Sequence, residues 1–208
     1  MSACEIVFTR EDINSIVQRV ADKLNEEFSN STSIPVFIGV LKGALPFMMD
    51  LIKKCTFDLK TDFIQVTSYS GTSSTGVIHL KKDISEDIRG KDVVIVEDII
   101  DTGLTLNYLK QYIQLNYNPR SIKIVCLVDK KPLRKVNLQP DISGAIINQN
   151  KFLVGYGFDY NELGRNIDYV FVPTKKQLIE WDKKLNLEKN NWGLCLFFHE
   201  KFLKNYQN

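Results

Sequence analysis

The stretch "VVIVEDIIDTGLTL", residues 93–106, sets an unbroken apolar run directly against three carboxylates and a short turn rich in hydroxyl groups. The run "VVIV" predicts a buried strand, and the residues after the turn predict a helix that Pro119 closes. Acids that cluster at the edge of a buried strand are typical of a site that holds a cation or the hydroxyl groups of a sugar. We therefore interpret this stretch as a strand, a binding site and a helix in succession.

Composition and charge indicate an ordinary soluble protein. The 208 residues can bury a real core, and 27 basic against 25 acidic residues give a formal net charge of +2. No overall basic field favours nucleic acid or an anionic membrane, and the four cysteines form no CxxC pair. The first residues show no secretion signal and no apolar run is long enough to span a bilayer. We expect a cytoplasmic single domain over residues 1–208, in which the segment 186–208 has no recognisable pattern.

Strands alternate with helices along the chain. Apolar residues at helical spacing predict a first helix from Thr9 to about Phe28, with Thr9 as its N-cap. The polar residues 68–92 are interpreted as a long mobile loop with room for one hairpin. Further strands are predicted at "IPVFIGVL", "TDFIQVTSY", "SIKIVCLV" and residues 141–147, 152–156 and 169–172, and helices at "ALPFMMDLIKK" and from about residue 174. The alternation indicates an α/β fold with a mostly parallel sheet flanked by helices.

The turn "DTGLT" after the central strand combines backbone N–H groups, a glycine, two hydroxyls and the start of a helix. Such a turn binds a phosphate, and ligands of open α/β sheets lie beyond the carboxyl ends of the strands. With Glu97 and Asp98 beside it, the turn suits a phosphorylated sugar and a hydrated magnesium ion. The alternative is purely structural: the two acids end the strand and Thr102 caps the helix.

"VVIVEDIIDTGLTL" resembles the phosphoribosyl-pyrophosphate binding motif of type I phosphoribosyltransferases, and "EDIIDTG" is similar to its hypoxanthine-guanine form. The resemblance implies a type I phosphoribosyltransferase-like core with a small purine-binding hood and a mobile active-site loop. It implies that Glu97 and Asp98 hold the ribose hydroxyls and magnesium. By the same resemblance, Asp101 is the acid or base at purine N7, and the 5′-phosphate is bound by Thr102, Gly103, Leu104 and Thr105. Leu104 stands where some members carry Lys.

Two further stretches resemble the same family in the same order along the chain. "VLKGALPF" is similar to its pyrophosphate loop, which implies that Leu41, Lys42 and Gly43 bind pyrophosphate, often through a non-proline cis peptide. "TSYSGTSSTG" resembles the flexible loop that closes over the reaction, with Ser68 and Tyr69 as the matching pair. Taken alone, each stretch is equally typical of an ordinary turn or loop.

Two later stretches resemble the family's purine-binding residues. "CLVDKK" implies that Lys130 donates to the purine 6-oxo group, although the adjacent Lys131 leaves the match open by one residue. "KFLVGYGFDYNELGR" implies a purine site in which Phe152 stacks on the base and the Leu153 main chain reads its edge. Asp159 belongs to the same purine site and would carry magnesium near pyrophosphate, which Arg165 would contact.

The resemblance implies an enzyme of purine salvage that joins hypoxanthine or guanine to phosphoribosyl pyrophosphate, with magnesium, as a homodimer or homotetramer. One alternative is a non-catalytic regulator that keeps the fold to sense phosphoribosyl pyrophosphate; such a module could drop the purine and pyrophosphate residues. A second alternative is a receiver domain that begins near Val93 and is phosphorylated on Asp129. That hypothesis leaves the residues before Gly90 and the "DTGLT" turn unexplained.

Overall fold

The computed structural model describes residues 4–68 and 78–187, and within them strands and helices alternate. The elements are β1 (Glu5–Phe8), α1 (Arg10–Phe28), β2 (Val36–Leu41), α2 (Leu45–Ile52), β3 (Lys60–Ser68), β4 (Ile78–Lys82), β5 (Asp92–Ile100), α3 (Leu104–Tyr117), β6 (Ser121–Asp129), a short 3₁₀ helix (Lys131–Leu133), β7 (Ile142–Ile146) and β8 (Val170–Val172). Residues 175–187, the last described ones, are helical and form α4. No helix in the described ranges is long and apolar enough to cross a bilayer.

The main sheet has the strand order β4-β3-β2-β5-β6-β7, and only β4 runs antiparallel to its neighbour. Both faces of the central strand are buried: Val94 and Val96 pack with the residues of α1 and α2, whereas Val93 and Ile95 pack with those of α3. A strand buried on both faces has no polar side to alternate with, which explains the continuous run "VVIV". The predicted α/β fold with a mostly parallel, helix-flanked sheet is confirmed.

Helix α1 begins where the sequence predicts. The Thr9 hydroxyl accepts a hydrogen bond from the Asp12 N–H at 3.1 Å, and the Asp12 carboxylate accepts one from the Thr9 N–H at 3.0 Å. This reciprocal capping box satisfies two N–H groups that have no partner within the helix. Thr9 is therefore confirmed as the N-cap.

The central strand is longer than "VVIV". β5 continues through Glu97 and Asp98 to Ile100 because β6 keeps pairing with it as far as Asp129, although its pairing with β2 ends at Val96. The two acids thus lie inside the strand, at the point where one neighbour has turned away. That departure opens the edge of the sheet on the side of β2.

Within the predicted loop over residues 68–92, residues 78–82 form β4 and residues 83–91 are irregular, so the hairpin for which the sequence left room is present. β4 pairs with β3 as a hairpin, and Ile84 and Ile88 are 8% and 0% exposed. These two apolar side chains pack the chain onto the core. The sequence does not indicate this packing, because the residues around them are polar. Tyr69 and the rest of residues 69–77 lie outside the described residues, and Ser68 is described only as the last backbone position of β3.

A second, two-stranded sheet pairs β1 with β8 in antiparallel fashion. β1 is absent from the sequence-based prediction because it has only four residues and exposes Glu5 and Ile6. The predicted strand at 152–156 is also wrong: Val154 forms a bridge to Phe171, but Gly155 and Gly157 have φ of 103° and 100° and turn the chain. The predicted strands at 141–147 and 169–172 correspond to β7 and β8.

The β3–β4 hairpin is anchored by a single carboxylate, that of Asp62, which is 7% exposed. It accepts hydrogen bonds from the backbone N–H groups of Phe63, Ser85 and Glu86 at 2.7, 2.6 and 2.9 Å, and Lys82 Nζ lies 3.1 Å away. Burial raises the pKa of Asp62, but the hydrogen bonds from Glu86, Phe63 and Ser85 outweigh it and lower the pKa below its ordinary value.

We expect Asp62→Asn to lower the free energy of unfolding by about 1.5–3 kcal/mol at pH 7, because the amide loses the charge that the N–H donors stabilise. The folded-state pKa lies below the unfolded value of about 3.9, so this stabilisation is complete above about pH 5 and is lost as the pH falls below 4. Urea unfolding at pH 7 and pH 3 measures it, with Asp58→Asn at an exposed position as the control. If the variant and the parent differ in free energy of unfolding by the same amount at both pH values, the prediction is wrong.

Candidate active site

A cleft of about 420 Å³ opens at the carboxyl ends of β2 and β5. It is lined mainly by the end of β5 and the turn to α3, together with parts of β2 and β3 and one residue of the segment 147–169 between β7 and β8, which we call the hood. The lining residues are Val40, Leu41, Val66, Glu97, Asp98, Ile99, Ile100, Asp101, Thr102, Gly103, Thr105, Leu106 and Asp159. This is the edge of the sheet at which ligands of open α/β folds bind.

A larger cleft, of about 620 Å³, lies between α1, the end of α2 and the hood residues Tyr156 and Asp168. Its charges satisfy one another: Arg10 pairs with Asp168, Lys53 lies 3.3 Å from Asp50, and the Tyr156 hydroxyl donates to Asp50 at 2.9 Å. Paired surface charges offer little to a ligand. The smaller cleft is therefore the better candidate, because its two buried acids, Glu97 and Asp98, form no ion pair within the described part of the chain.

Glu97 and Asp98 are each 8% exposed. Burial raises the pKa of both carboxyls above their ordinary values, and for Glu97 the neighbouring charge of Asp98 raises the pKa further. Backbone donors are few: Ile99 N–H donates to Asp98 at 2.8 Å, and Asp98 N–H donates to Glu97 at 3.3 Å. Two buried acids with so little compensation favour a cation, or hydroxyl donors, beside them.

The loop between β2 and α2 is pressed against this pair. A Cβ at Gly43 would lie 1.9 Å from Asp98 Oδ2, and a Cβ at Gly157 would lie 2.1 Å from the Gly43 carbonyl oxygen. Glycine is therefore required at both positions for the loop to fit between the acid and the hood. The Leu41–Lys42 peptide bond is cis, as the family resemblance implies. Leu41 lines the cleft, and the Lys42 side chain is exposed.

The turn after β5 forms the N-terminus of α3. Gly103 is the N-cap, with φ of 77°, a left-handed conformation that glycine adopts without strain. Thr102 and Thr105 line the cleft, Leu104 is 46% exposed, and the Thr102 hydroxyl accepts a long hydrogen bond from the Leu104 N–H at 3.4 Å. A helix N-terminus of this kind presents N–H groups and a positive dipole end to an anion.

Asp101 and Lys130 meet at the side of this turn. Lys130 Nζ lies 2.9 Å from Asp101 Oδ1, and Lys130 is only 5% exposed. Oδ1 is buried and receives no donor in hydrogen-bonding geometry from the described part of the chain, so the ammonium holds it by charge. Lys131 is exposed to solvent. The structure thus brings Lys130, and not Lys131, to the cleft residue Asp101.

Arg134 was not predicted for the site, yet it joins three parts of it. Its guanidinium pairs with Asp129 at the end of β6, contacts the Leu138 carbonyl oxygen and donates to the Asp101 carbonyl oxygen at 3.3 Å. The Lys135 N–H adds a bond of 2.9 Å to the Thr102 carbonyl oxygen. The one sequence signal for Arg134 is Asp129, the acid at the end of the buried strand β6, because a buried carboxylate needs a cation close by.

A group of charges lies where the hood meets the β2–α2 loop. Arg165 donates to the Gly157 carbonyl oxygen at 2.7 Å and lies 2.9 Å from Asp159 Oδ1. Glu162 Oε2 lies 3.0 Å from Lys42 Nζ and 3.4 Å from Arg165. The hydrogen bond from Lys42 lowers the pKa of Glu162, so it is a carboxylate at neutral pH. Glu162, which sequence reasoning missed, thus neutralises both cations predicted for pyrophosphate.

Phe152 and Leu153 differ in exposure. Leu153 is 6% exposed and belongs to the core, whereas Phe152 is 51% exposed and meets the ring of Tyr160 edge to face, with 6.0 Å between centroids. Tyr160 follows Asp159, which lines the cleft. Phe152 therefore has an exposed ring that is connected to the cleft residue Asp159 through Tyr160, whereas the predicted loop residue Tyr69 lies outside the described residues.

The donor set of the cleft fits magnesium. Across residues 4–68 and 78–187, no three His, Cys, Asp or Glu side chains come together as a ready-made metal cage. Magnesium is usually bound by one or two carboxylates together with substrate phosphates and water, so a complete protein cage is not needed. The adjacent carboxylates of Glu97 and Asp98, with Asp159 on the same cleft, provide such a partial set.

Comparisons with known proteins agree with this geometry. A family model described as the phosphoribosyl transferase domain matches residues 9–161. Hypoxanthine-guanine phosphoribosyltransferase of Bacillus subtilis is 41% identical over 169 residues, which cover 81% of this chain and 92% of that protein. The protein of the same name from Lactococcus lactis is 41% identical over 169 residues, 81% of this chain and 90% of its own.

Solved structures give the same result. A hypoxanthine phosphoribosyltransferase from Staphylococcus aureus has a TM-score of 0.77 at 38% identity and covers 83% of this chain and 92% of its own. A hypoxanthine-guanine phosphoribosyltransferase from Bacillus anthracis has a TM-score of 0.77 at 36% identity, with 83% and 100% covered. The chain therefore belongs to the phosphoribosyltransferase family, and within it to the hypoxanthine-guanine branch.

The receiver-domain hypothesis is wrong. The family match begins at residue 9, far ahead of Val93. Asp129, the acid that the hypothesis requires as phosphoacceptor, is 1% exposed and paired with Arg134. A carboxylate in that position is not accessible to a phosphodonor.

We expect Glu162→Gln to bind pyrophosphate roughly two- to five-fold more tightly, because the ligand no longer competes with a carboxylate for Lys42 and Arg165. The size follows from the 0.2–1 kcal/mol typical of exposed ion pairs. Calorimetric titration with magnesium pyrophosphate measures it, with Glu180→Gln on α4 as the charge-matched control. Equal or weaker affinity in Glu162→Gln would mean that Glu162 does not occupy the pyrophosphate position.

Proposed function

We propose that this chain transfers the phosphoribosyl group of 5-phosphoribosyl-1-pyrophosphate to hypoxanthine or guanine, which gives IMP or GMP and pyrophosphate in purine salvage. The observation that carries this proposal is the ion pair between the buried Lys130 and the part-exposed Asp101, beside the N-terminus of α3. It places a hydrogen-bond donor, Lys130, and a proton acceptor, Asp101, where a purine could contact both, next to a turn that suits an anion. Regulators that only sense phosphoribosyl pyrophosphate have no need of such a pair.

The sugar and its phosphate would lie along the end of β5. The N–H groups of Thr102, Gly103, Leu104 and Thr105 surround the start of α3 and suit the 5′-phosphate. Glu97 and Asp98 accept hydrogen bonds from the ribose hydroxyls. Those donors offset the cost of burying two carboxylates, and they place the anomeric carbon near negative charge that stabilises the developing sugar cation.

The purine would be read by Lys130, Asp101 and the hood. The ammonium of Lys130 donates to a 6-oxo group, and Asp101 accepts the proton of purine N7 as N9 forms the new bond to the anomeric carbon. Phe152 stacks on the ring, and the Leu153 main chain contacts its edge. The 6-amino group of adenine presents donors to the Lys130 donor, which makes adenine a poor substrate.

The leaving group would lie over the β2–α2 loop. Lys42 and Arg165 supply positive charge where negative charge develops on pyrophosphate, and the tight fit of Gly43 against Asp98 brings the loop's backbone to the same place. Ser68 and Tyr69 belong to the segment that would cover the reaction and exclude water.

We also propose magnesium as the metal, with Glu97, Asp98 and Asp159 as its protein ligands. The bound ion would neutralise charge on the diphosphate of the substrate. The ion would also give these three acids a positive counter-charge, which the described residues supply only in part.

A homodimer or homotetramer in the cytoplasm is the proposed form of the protein. Leu45 and Met49 lie one turn apart on α2 and are 43% and 41% exposed, which supports a surface for self-association. This helix follows directly on the pyrophosphate loop, so contact between subunits would also stabilise Lys42 and Gly43.

A panel of purines tests the proposed function. We expect nucleotide formation from hypoxanthine and guanine with phosphoribosyl pyrophosphate and magnesium, and none from adenine under the same conditions. Chromatographic detection of IMP, GMP and AMP measures all three reactions at once. Turnover of adenine at the rate of hypoxanthine contradicts the 6-oxopurine assignment, and absence of any product contradicts the proposed activity.

Lys130→Ala separates the purine site from the sugar site. We expect it to weaken the binding of hypoxanthine and of guanine by about 1.5–3 kcal/mol, the value of a charged hydrogen bond in a site without water. Binding of phosphoribosyl pyrophosphate should stay almost unchanged. Steady-state kinetics with each substrate varied measures the two effects. Lys131→Ala is the matched control, because Lys131 is exposed; if it shows the larger loss, the purine is read by Lys131.

A further inference from the structure

Helix α4 reaches the hood through one aromatic contact. The ring of Trp181 stacks on that of Tyr160, with centroids 6.2 Å apart and 23° between the planes. The Tyr160 hydroxyl donates to the neighbouring Asp182, whose two carboxylate oxygens lie 3.0 and 3.1 Å away. Tyr160 is thus held by a stacked ring and by a charged acceptor on the same helix.

Tyr160 in turn supports Phe152. The two rings meet edge to face at 90°. Because Phe152 is 51% exposed, burial does not fix its ring, and the contact with Tyr160 is what limits its orientation. A continuous row of three rings therefore leads from α4 to the residue proposed to stack on the purine.

Both residues of α4 lie beyond the part of the chain that the family model matches, which ends at residue 161. Tyr160 lies just inside that limit. The support for Phe152 therefore begins inside the range that the family model matches and ends outside it.

We propose that Trp181 and Asp182 are positioning residues for the purine site and act on Phe152 through Tyr160. The proposal rests on the proposed function. A stacking ring that is already oriented loses less freedom when the base binds, so affinity for the purine rises. The phosphate turn is held by Arg134, Lys135 and the sheet, so the sugar side of the cleft does not depend on α4.

Trp181→Leu tests this proposal, because it should change KM for the purine but not KM for phosphoribosyl pyrophosphate. We expect KM for hypoxanthine to rise by about three- to ten-fold, the range of one aromatic pair, and KM for phosphoribosyl pyrophosphate to change less than about two-fold. Trp181→Phe keeps a ring and should recover most of the loss. Leu187→Ala, an exposed apolar position on the same helix, is the control and should match the parent in both constants.

Binding without turnover gives a second measurement. Calorimetry should show weaker IMP binding in Trp181→Leu and equal binding of phosphoribosyl pyrophosphate, which carries no purine. An unchanged KM for hypoxanthine, or equal losses for both substrates, overturns the proposal. If Trp181→Leu unfolds, Asp182→Asn and Tyr160→Phe decide, since each weakens only the hydroxyl contact and should raise KM for hypoxanthine alone. A parent protein without activity contradicts the proposed function instead.

Discussion

The architecture of the cleft depends on the close approach of the Asp98 carboxylate to the backbone of Gly43. The hood presses on the same loop from the other side, at Gly157, and neither position has room for a methyl group. Three segments that are far apart in the chain are thereby fixed around one acid. Because protein interiors are close-packed, a shift of any one of them moves the other two. The β2–α2 loop and the acid pair therefore form one closely packed unit.

Most of the fold could be predicted from the sequence because its signals are local. The apolar run "VVIV" marks a strand buried on both faces, and Thr9 with Asp12 marks the start of α1. The extension of β5 could not be predicted in this way. It depends on β6, which continues to pair where β2 has turned aside, and a polar pair such as Glu97 and Asp98 normally ends a strand.

The sequence predicts a residue of the candidate site only where the residue type allows few other roles. Lys130, Lys131 and Arg134 lie in one basic turn, and nothing local distinguishes a lysine that is 5% exposed from one in solvent. Their roles follow from what the sheet brings beside them. Glu162 is a further case: its position between two cations follows from a turn with φ of 72°, which the sequence does not indicate.

The buried guanidinium of Arg134 connects the two halves of the cleft. It donates to the carbonyl oxygen of Asp101, which directly precedes the turn proposed for the 5′-phosphate, and it pairs with Asp129, the chain neighbour of Lys130, which is proposed to contact the purine. In the proposed function, each of the two substrates would contact a residue next to one that this side chain holds. Binding of the two substrates would then be thermodynamically linked through Arg134, and the factor by which one alters the affinity of the other would be identical in both directions.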